Sequence, residues 1–308
     1  MPPLTLVFEQ LLNGVQFGVM LFLMAAGLTL VFGIMNFVNL AHGSFYMIGA
    51  YLTLAAVQWS GNYIAGVVLG LAGTLLVGML VEVVALRTLY ARDHLDHVLA
   101  TFGLILFFNE LVAIIWGRTL LDFPRPEWLR GHVEIFAGSR YPFYRAVVIL
   151  VGLAVGAGLW YVVTRTRLGM LIRAGASNRT MIASLGVNVR LLYTVVFGFG
   201  AALAGLAGLM AGPIYAVLPG MGELILIEVL VVIVIGGLGS IRGAFAGALL
   251  VGIVDTLGRA FLRPLLATVL SPAAADSAGP ALASMLIYLL MALVLAVRPE
   301  GLFPSRGR

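Results

Sequence analysis

Long apolar stretches, separated by short polar breaks, recur along the whole chain. A helix needs about 20 apolar residues to cross the hydrocarbon core of a bilayer, and these stretches lack the alternating pattern of membrane β-strands. We therefore predict an all-α polytopic membrane protein with roughly eight to ten transmembrane helices. The working assignment has nine spans, at residues 10–33, 41–58, 63–86, 98–116, 143–163, 192–212, 223–237, 243–262 and 281–297.

The composition agrees with a chain that lies in a lipid bilayer. Of its 308 residues, 62% are hydrophobic and only 10% are charged, whereas a soluble domain carries about 25% charged residues. We expect one transmembrane domain over residues 1–308. Nothing in the sequence resembles a basic face patterned for nucleic acid, so we expect no nucleic-acid partner.

An arginine-rich segment between the fifth and sixth predicted spans indicates the orientation. Residues 164–191 contain several arginines and no acidic residue, which is typical of a cytoplasmic loop. An odd number of spans places the two termini on opposite sides of the membrane. The N-terminus is therefore expected outside and the C-terminus in the cytoplasm.

Two residue types are absent from the sequence, and each absence excludes a kind of chemistry. The chain has no cysteine, which excludes disulfides, thiol nucleophiles and thiolate metal sites. All 18 basic residues are arginine, and a chain without lysine cannot contain a Walker A loop. Any ATP and Mg²⁺ would have to be bound by another chain. The histidines outside the spans have no matching ligand set, so we expect no metal site.

A polar stretch interrupts the apolar pattern between the first two predicted spans. Polar side chains and a glycine gather there within nine residues, which indicates contact with protein or a water-filled cavity rather than lipid. One interpretation is a short cytoplasmic turn; the other is a lining of a transport path. The candidate path residues are Asn36, Asn39, His42, Gly43 and Ser44.

Four acidic residues fall in the interior of predicted spans, away from their first and last residues. Asp255 has Arg259 one helical turn further along, and Glu82 can reach toward Arg87. Glu110 and Glu228 have no neighbouring cation in the sequence, so they must find one across the bundle, reach water or be protonated. Their roles stay open, because polar side chains also join helices within lipid.

The cytoplasmic loop contains a short amphipathic segment. Ser177 is a suitable N-cap and Gly186 a suitable C-terminal cap of a helix of about two turns. Met181, Ile182 and Leu185 share one apolar face of that helix. The face can either dock onto a partner protein or lie on the membrane surface.

Glycines are abundant and favour close helix packing. The chain has 38 of them, and many recur at the four-residue spacing that lets helix backbones approach. The segment "IGGLGSIRGAFAG" predicts a close-packing joint where the chain re-enters the membrane, and we expect at least one broken or re-entrant segment. The joint residues are Gly236, Gly237, Gly239, Gly243 and Gly247.

Several long stretches together resemble one known family. They are residues 11–52 with "NFVNLAHGSFYMIGAYL", 167–209 with "RAGASNRTMIASLGVNVR", 231–255 with "IGGLGSIRGAFAGALL", and the ending "RPEGLF" at 298–303. In this order they resemble the inner-membrane permease subunits of ABC importers for branched-chain amino acids. The resemblance implies a multi-pass protein of the bacterial inner membrane that is a transporter subunit and not an enzyme.

The resemblance also implies partners and a coupling helix. The expected partners are a second homologous permease, two cytoplasmic ATP-binding subunits that carry ATP and Mg²⁺, and a periplasmic or extracellular solute-binding protein. The implied coupling residues are Asn178, Met181, Ile182, Ala183, Leu185 and Gly186.

Other functions compete with this interpretation. Relatives in the family also carry other amino acids, amides or urea, so the solute is left open. A gradient-driven secondary transporter would need no ATPase, but would leave the amphipathic loop helix without a purpose. A membrane hydrolase would need a serine with a base, a carboxylate pair or a metal set, and only His42 with Ser44 comes near to that.

Overall fold

The computed structural model describes residues 4–35, 39–90, 92–135 and 140–303. Its α-helices are α1 (Leu4–Met35), α2 (His42–Ser60), α3 (Tyr63–Val81), α4 (His94–Trp116), α5 (Phe143–Arg165), α6 (Arg167–Ser177), α7 (Arg179–Ser184), α8 (Val189–Tyr215), α9 (Met221–Gly236), α10 (Ile241–Leu266) and α11 (Pro272–Val297). A π-helical turn (Glu82–Leu86) and a 3₁₀ turn (Arg87–Leu89) follow α3. A further 3₁₀ turn (Glu127–Leu129) precedes a short antiparallel pair, β1 (His132–Glu134) and β2 (Arg140–Pro142).

The all-α membrane fold predicted from the sequence is confirmed. Within the described ranges, seven helices are long and apolar enough to cross a membrane. Each of the nine predicted spans corresponds to a helix, and the two outside that set of seven are α2 and α9. Helix α2 is less apolar, beginning with the polar residues His42 and Ser44, and α9 has only 16 residues. The prediction of one domain over 1–308 stays a prediction, since the helices group into two compact units.

One unit consists mainly of Leu23–Arg125 and Val155–Ile227. Its core is formed by α2, α3 and α8, which pack through small residues. A side chain on Gly49 would overlap the backbone of Gly205, and one on Gly70 would overlap Thr53. These helices therefore approach backbone to backbone, as the glycine spacing predicts.

The other unit contains the first residues of α1 together with α10 and α11. Gly18 of α1 lies so close to α10 that a Cβ atom there would be 2.8 Å from the carbonyl oxygen of Ala248. Phe22 and Phe245 stack edge to face, with ring centroids 5.1 Å apart. Glycine contacts and aromatic packing thus join α1 to α10 in this unit.

Helix α2 begins beside the middle of α1 rather than at its end. The His42 Nε2 atom lies 3.1 Å from the backbone carbonyl oxygen of Met24, whereas α1 continues to Met35. At 1.5 Å per residue, that carbonyl lies about 16 Å before the end of α1. The start of α2 is therefore set back into the bundle, and the expected broken or re-entrant segment stays a prediction.

Candidate translocation and coupling sites

The residues of the polar stretch that the structure describes are buried within the protein. Asn36 lies outside the described residues. Asn39, His42 and Ser44 are 0%, 1% and 4% exposed. The Asn39 side-chain oxygen accepts a hydrogen bond from the Ala41 backbone N–H at 3.0 Å. Because a carbonyl oxygen only accepts, the Met24 contact places a proton on Nε2 of His42.

At Gly43 the first turn of α2 is in close contact with the first turn of α9. A Cβ atom at Gly43 would overlap the backbone of Gly222, and the reverse holds for a side chain on Gly222. The stretch is therefore a packed joint in this structure. Its assignment to the transport path stays a prediction, and it requires these side chains to become accessible during transport.

Helix α7 is capped at both ends by its own sequence. The Asn178 side-chain oxygen accepts a hydrogen bond from the Met181 N–H at 2.9 Å, so Asn178 is the N-cap. The prediction of Ser177 as the N-cap is wrong, because α6 continues through Ser177 and the backbone becomes extended only at Asn178. At the other end Gly186 has φ +83°, a conformation in which glycine is strongly favoured.

The apolar residues of α7 divide between the chain's interior and its surface. Ile182 is only 5% exposed and lies beside Gly175 of α6, next to Leu192 of α8. Met181 and Leu185 are 62% and 75% exposed. Ile182 therefore anchors α7 to the rest of the unit, while Met181 and Leu185 are available to another surface.

The glycine-rich segment forms a tight connection between α9 and α10. A side chain on Gly243 would overlap the carbonyl of Gly236, and a Cβ on Gly247 would lie 2.7 Å from the Val232 carbonyl oxygen. Gly237 and Gly239 have φ values of +100° and +80°, which glycine adopts without steric cost.

The last described residues of the chain pack against the end of α9. The Leu302 N–H donates to the Ile235 carbonyl oxygen at 2.9 Å, and the Phe303 N–H donates to the Gly236 carbonyl oxygen at 3.0 Å. Both carbonyls belong to the last turn of α9, where a helix leaves its acceptors without internal partners. The segment after α11 therefore caps α9.

A cluster of polar side chains lies at the end of α3, where the helix widens into a π turn. Glu82 is 0% exposed, and its carboxylate receives hydrogen bonds from Arg87, Tyr90 and Thr194. Burial, followed by the hydrogen bond to Glu82, raises the pKa of the Tyr90 phenol. The phenol therefore stays protonated at neutral pH and donates to the carboxylate.

Comparison with known proteins identifies the family of this chain. The sequence profile described as "Branched-chain amino acid transport system / permease component" matches residues 10–295. This chain belongs to that permease family.

The permease has relatives that match over nearly its full length. The high-affinity branched-chain amino acid transport system permease protein LivH of Escherichia coli K12 is 30% identical over 307 residues, covering 96% of this chain and 94% of the relative. The permease protein BraD of the corresponding Pseudomonas aeruginosa system is 30% identical over 316 residues, covering 98% and 97%. Both relatives are permease proteins of branched-chain amino acid transport systems.

A partial match extends beyond amino-acid systems. The fructose import permease protein FrcC of Rhizobium meliloti is 34% identical over 118 residues, which is 36% of this chain and 32% of that protein. No solved structure matches this permease.

The permease pairs its other intramembrane acids largely as the sequence indicates. Arg259 Nε lies 2.7 Å from Asp255 Oδ2, which confirms the predicted pair, and Arg259 Nη2 lies 3.8 Å from Glu228 on α9. Glu110 pairs with Arg118 at 2.7 Å, just beyond the end of α4. In the described ranges, no group of three or more His, Asp or Glu side chains could hold a metal ion.

Only one contact of the cluster around Glu82 is predictable from the sequence. The predicted contact with Arg87 is confirmed at 3.0 Å, but Thr194 is 112 residues from Glu82 in the sequence. No local pattern connects the two positions. The nearest signal was Glu82 itself, an acidic residue within an apolar span, which marks a site that must have polar partners.

Proposed function

We propose that this chain is a membrane-spanning permease subunit of an ATP-driven importer for branched-chain or related hydrophobic amino acids. The observation that carries the proposal is the family match over residues 10–295. Near-complete coverage of LivH and BraD supports the substrate class. The helical, membrane-embedded fold agrees with a subunit that forms part of a path through the bilayer.

The proposal includes partners that supply the energy and the solute. The chain has no lysine and hence no Walker A loop of its own, so two cytoplasmic subunits would bind ATP and Mg²⁺. A second homologous permease would complete the path, and an external solute-binding protein would deliver the solute. The exposed Met181 and Leu185 of α7 support docking to an ATP-binding subunit.

The proposed location is the bacterial inner membrane. The arginine-rich segment that contains α6 and α7 would lie in the cytoplasm. With nine spans, the N-terminus would lie outside and the C-terminus inside.

Reconstitution of the complete complex tests this function directly. Proteoliposomes are prepared that contain the permease, its partner permease and the two ATP-binding subunits. The solute-binding protein and ATP are supplied to them. We expect leucine, isoleucine or valine to stimulate ATP hydrolysis and to accumulate in the lumen. Stimulation only by amides, urea or fructose would reassign the solute, and uptake that follows an ion gradient without ATP would reject the importer.

Cysteine accessibility tests the transport-path assignment. The chain has no native cysteine, so Asn39→Cys and Ser44→Cys each introduce a single thiol. Because both positions are buried, we expect no reaction with a small polar thiosulfonate at rest and reaction during ATP turnover. Labelling is measured by mass spectrometry of the purified permease.

A cysteine at the exposed position Thr88 is the control and should react in both conditions. If Asn39→Cys and Ser44→Cys stay unlabelled during turnover while Thr88→Cys reacts, the stretch is a packing joint and not a path lining.

A further inference from the structure

The polar cluster at the end of α3 is centred on a fully buried acidic side chain, Glu82. The Glu82 carboxylate accepts from Arg87 Nη2 at 3.0 Å, from the Tyr90 hydroxyl at 2.8 Å and from the Thr194 hydroxyl at 2.6 Å. We call these four residues, Glu82, Arg87, Tyr90 and Thr194, the Glu82 clamp. A buried carboxylate that loses its donors is strongly unfavourable, so this set of contacts resists separation.

Thr194 connects the clamp to the helix that follows the coupling segment. Its hydroxyl donates to Glu82 and also accepts from Arg87 Nη2 at 2.8 Å, so it contacts both partners of the ion pair. Thr194 lies in the second turn of α8, which begins at Val189 with Asn188 as its N-cap. Only residues 185–188 separate α7 from α8.

Ile182 provides a second connection between α7 and α8. Its buried side chain and that of Leu192 both lie against Gly175. Leu192 is two residues before Thr194 on the same helix. A displacement of α7 is therefore passed to the first turns of α8 through side-chain packing as well as through the chain.

Tyr90 connects the clamp to the end of α1. Its ring packs edge to face on Tyr193, with centroids 5.5 Å apart, and its hydroxyl lies 3.7 Å from the Met35 sulfur. The Tyr193 hydroxyl donates to the Ile34 carbonyl oxygen at 3.4 Å. Tyr90 of the clamp and its neighbour Tyr193 thus both contact the last turn of α1, immediately before the polar stretch.

We propose that the Glu82 clamp transmits movement of α7 to the ends of α1 and α3, with Thr194 and Tyr90 as positioning residues for coupling. The inference rests on the proposed function, in which α7 docks onto an ATP-binding subunit. Hydrogen bonds to a buried charge suit this role, because they hold α3 and α8 in one fixed register. The π turn that carries Glu82 agrees with it, since π turns within helices are frequent at functional sites.

The test measures coupling rather than activity alone. Thr194→Val and Tyr90→Phe each remove one hydroxyl that donates to Glu82 and keep the size of the side chain. In proteoliposomes with the complete complex, we expect ATP hydrolysis to persist while the amount of solute taken up per ATP falls about tenfold, the effect of losing one hydrogen bond to a buried charge. Thr88→Val is the matched control, because within the described part of the chain its exposed hydroxyl donates only to Ala85 in its own turn, and its ratio should stay at the wild-type value.

The outcomes separate a coupling role from a structural one. A merely structural clamp would lower the yield of assembled complex in the Thr194→Val and Tyr90→Phe variants and leave the uptake-to-ATP ratio of the remainder unchanged, which would overturn the inference. If one variant fails to assemble, the other still decides the question. Failure of the wild-type complex to take up any solute with ATP would reject the proposed function instead.

Discussion

Leu185→Asp should abolish solute-stimulated ATP hydrolysis and uptake together. Leu185, directly after α7, is 75% exposed and Met181 is also exposed, whereas Ile182 is buried within the chain. If α7 sits in a groove of an ATP-binding subunit, the new carboxylate is desolvated there without a partner. Such a charge costs about 3–5 kcal/mol, which weakens docking at least about a hundredfold.

The membrane spans are not touched by this change, so the permease itself should remain folded. Thermal unfolding of the purified subunit in detergent should match that of the wild type, and co-purification should show the loss of the ATP-binding subunits. Leu185→Met is the control, because it keeps an apolar side chain of similar size and should retain both activities. If Leu185→Asp hydrolyses ATP and imports at wild-type rates, α7 is a surface helix and the coupling assignment is wrong.

Gly243→Val should prevent the permease from reaching its folded state. A Cβ atom at Gly243 already overlaps the Gly236 carbonyl, which is backbone and cannot rotate away. Overpacking of this kind typically costs about 1–3 kcal/mol for small additions, and the branched side chain adds more atoms at the same point. We expect little monodisperse protein after detergent extraction, measured by fluorescence-detected size exclusion.

Gly243→Ala gives a graded version of the same test, with a lower unfolding temperature than the wild type. Gly158→Ala is the matched control, since Gly158 also lies in a helix but, among the described residues outside its own stretch of that helix, no atom lies within 4 Å of the added carbon. Alanine stabilises a helix by up to about 1 kcal/mol relative to glycine, so the control should be unchanged or slightly more stable. An equal unfolding temperature for Gly243→Ala and the wild type would show that α9 and α10 can separate without cost.

The helices were predictable from the sequence because their cause is local. A run of about 20 apolar residues has few alternatives to a transmembrane helix, and all nine predicted spans correspond to helices in the structure. The start of α2 beside Met24 was not predictable in the same way. It depends on a contact between the His42 side chain and the α1 backbone, which no periodicity reports.

In the candidate sites too, features set by local sequence were predictable and features set by distant contacts were not. The pair formed by Asp255 and Arg259 follows from helical spacing and is confirmed. The N-cap of α7 lies one residue after the predicted one, because serine and asparagine are both good caps and the choice between them depends on where α6 ends. The inward position of Ile182 depends on Gly175 and Leu192, so helical spacing alone grouped it with its exposed neighbours.

The cap that residues 302 and 303 place on α9 has a consequence for how the protein fits its membrane. A helix of 16 residues is about 24 Å long, which is shorter than the hydrocarbon core of about 30 Å. A lone helix of that length would have to thin the bilayer around it to bring its last carbonyls to water. Since Leu302 and Phe303 already donate to carbonyls of that last turn, α9 can end within the bilayer, and its length need not follow the thickness of the host membrane.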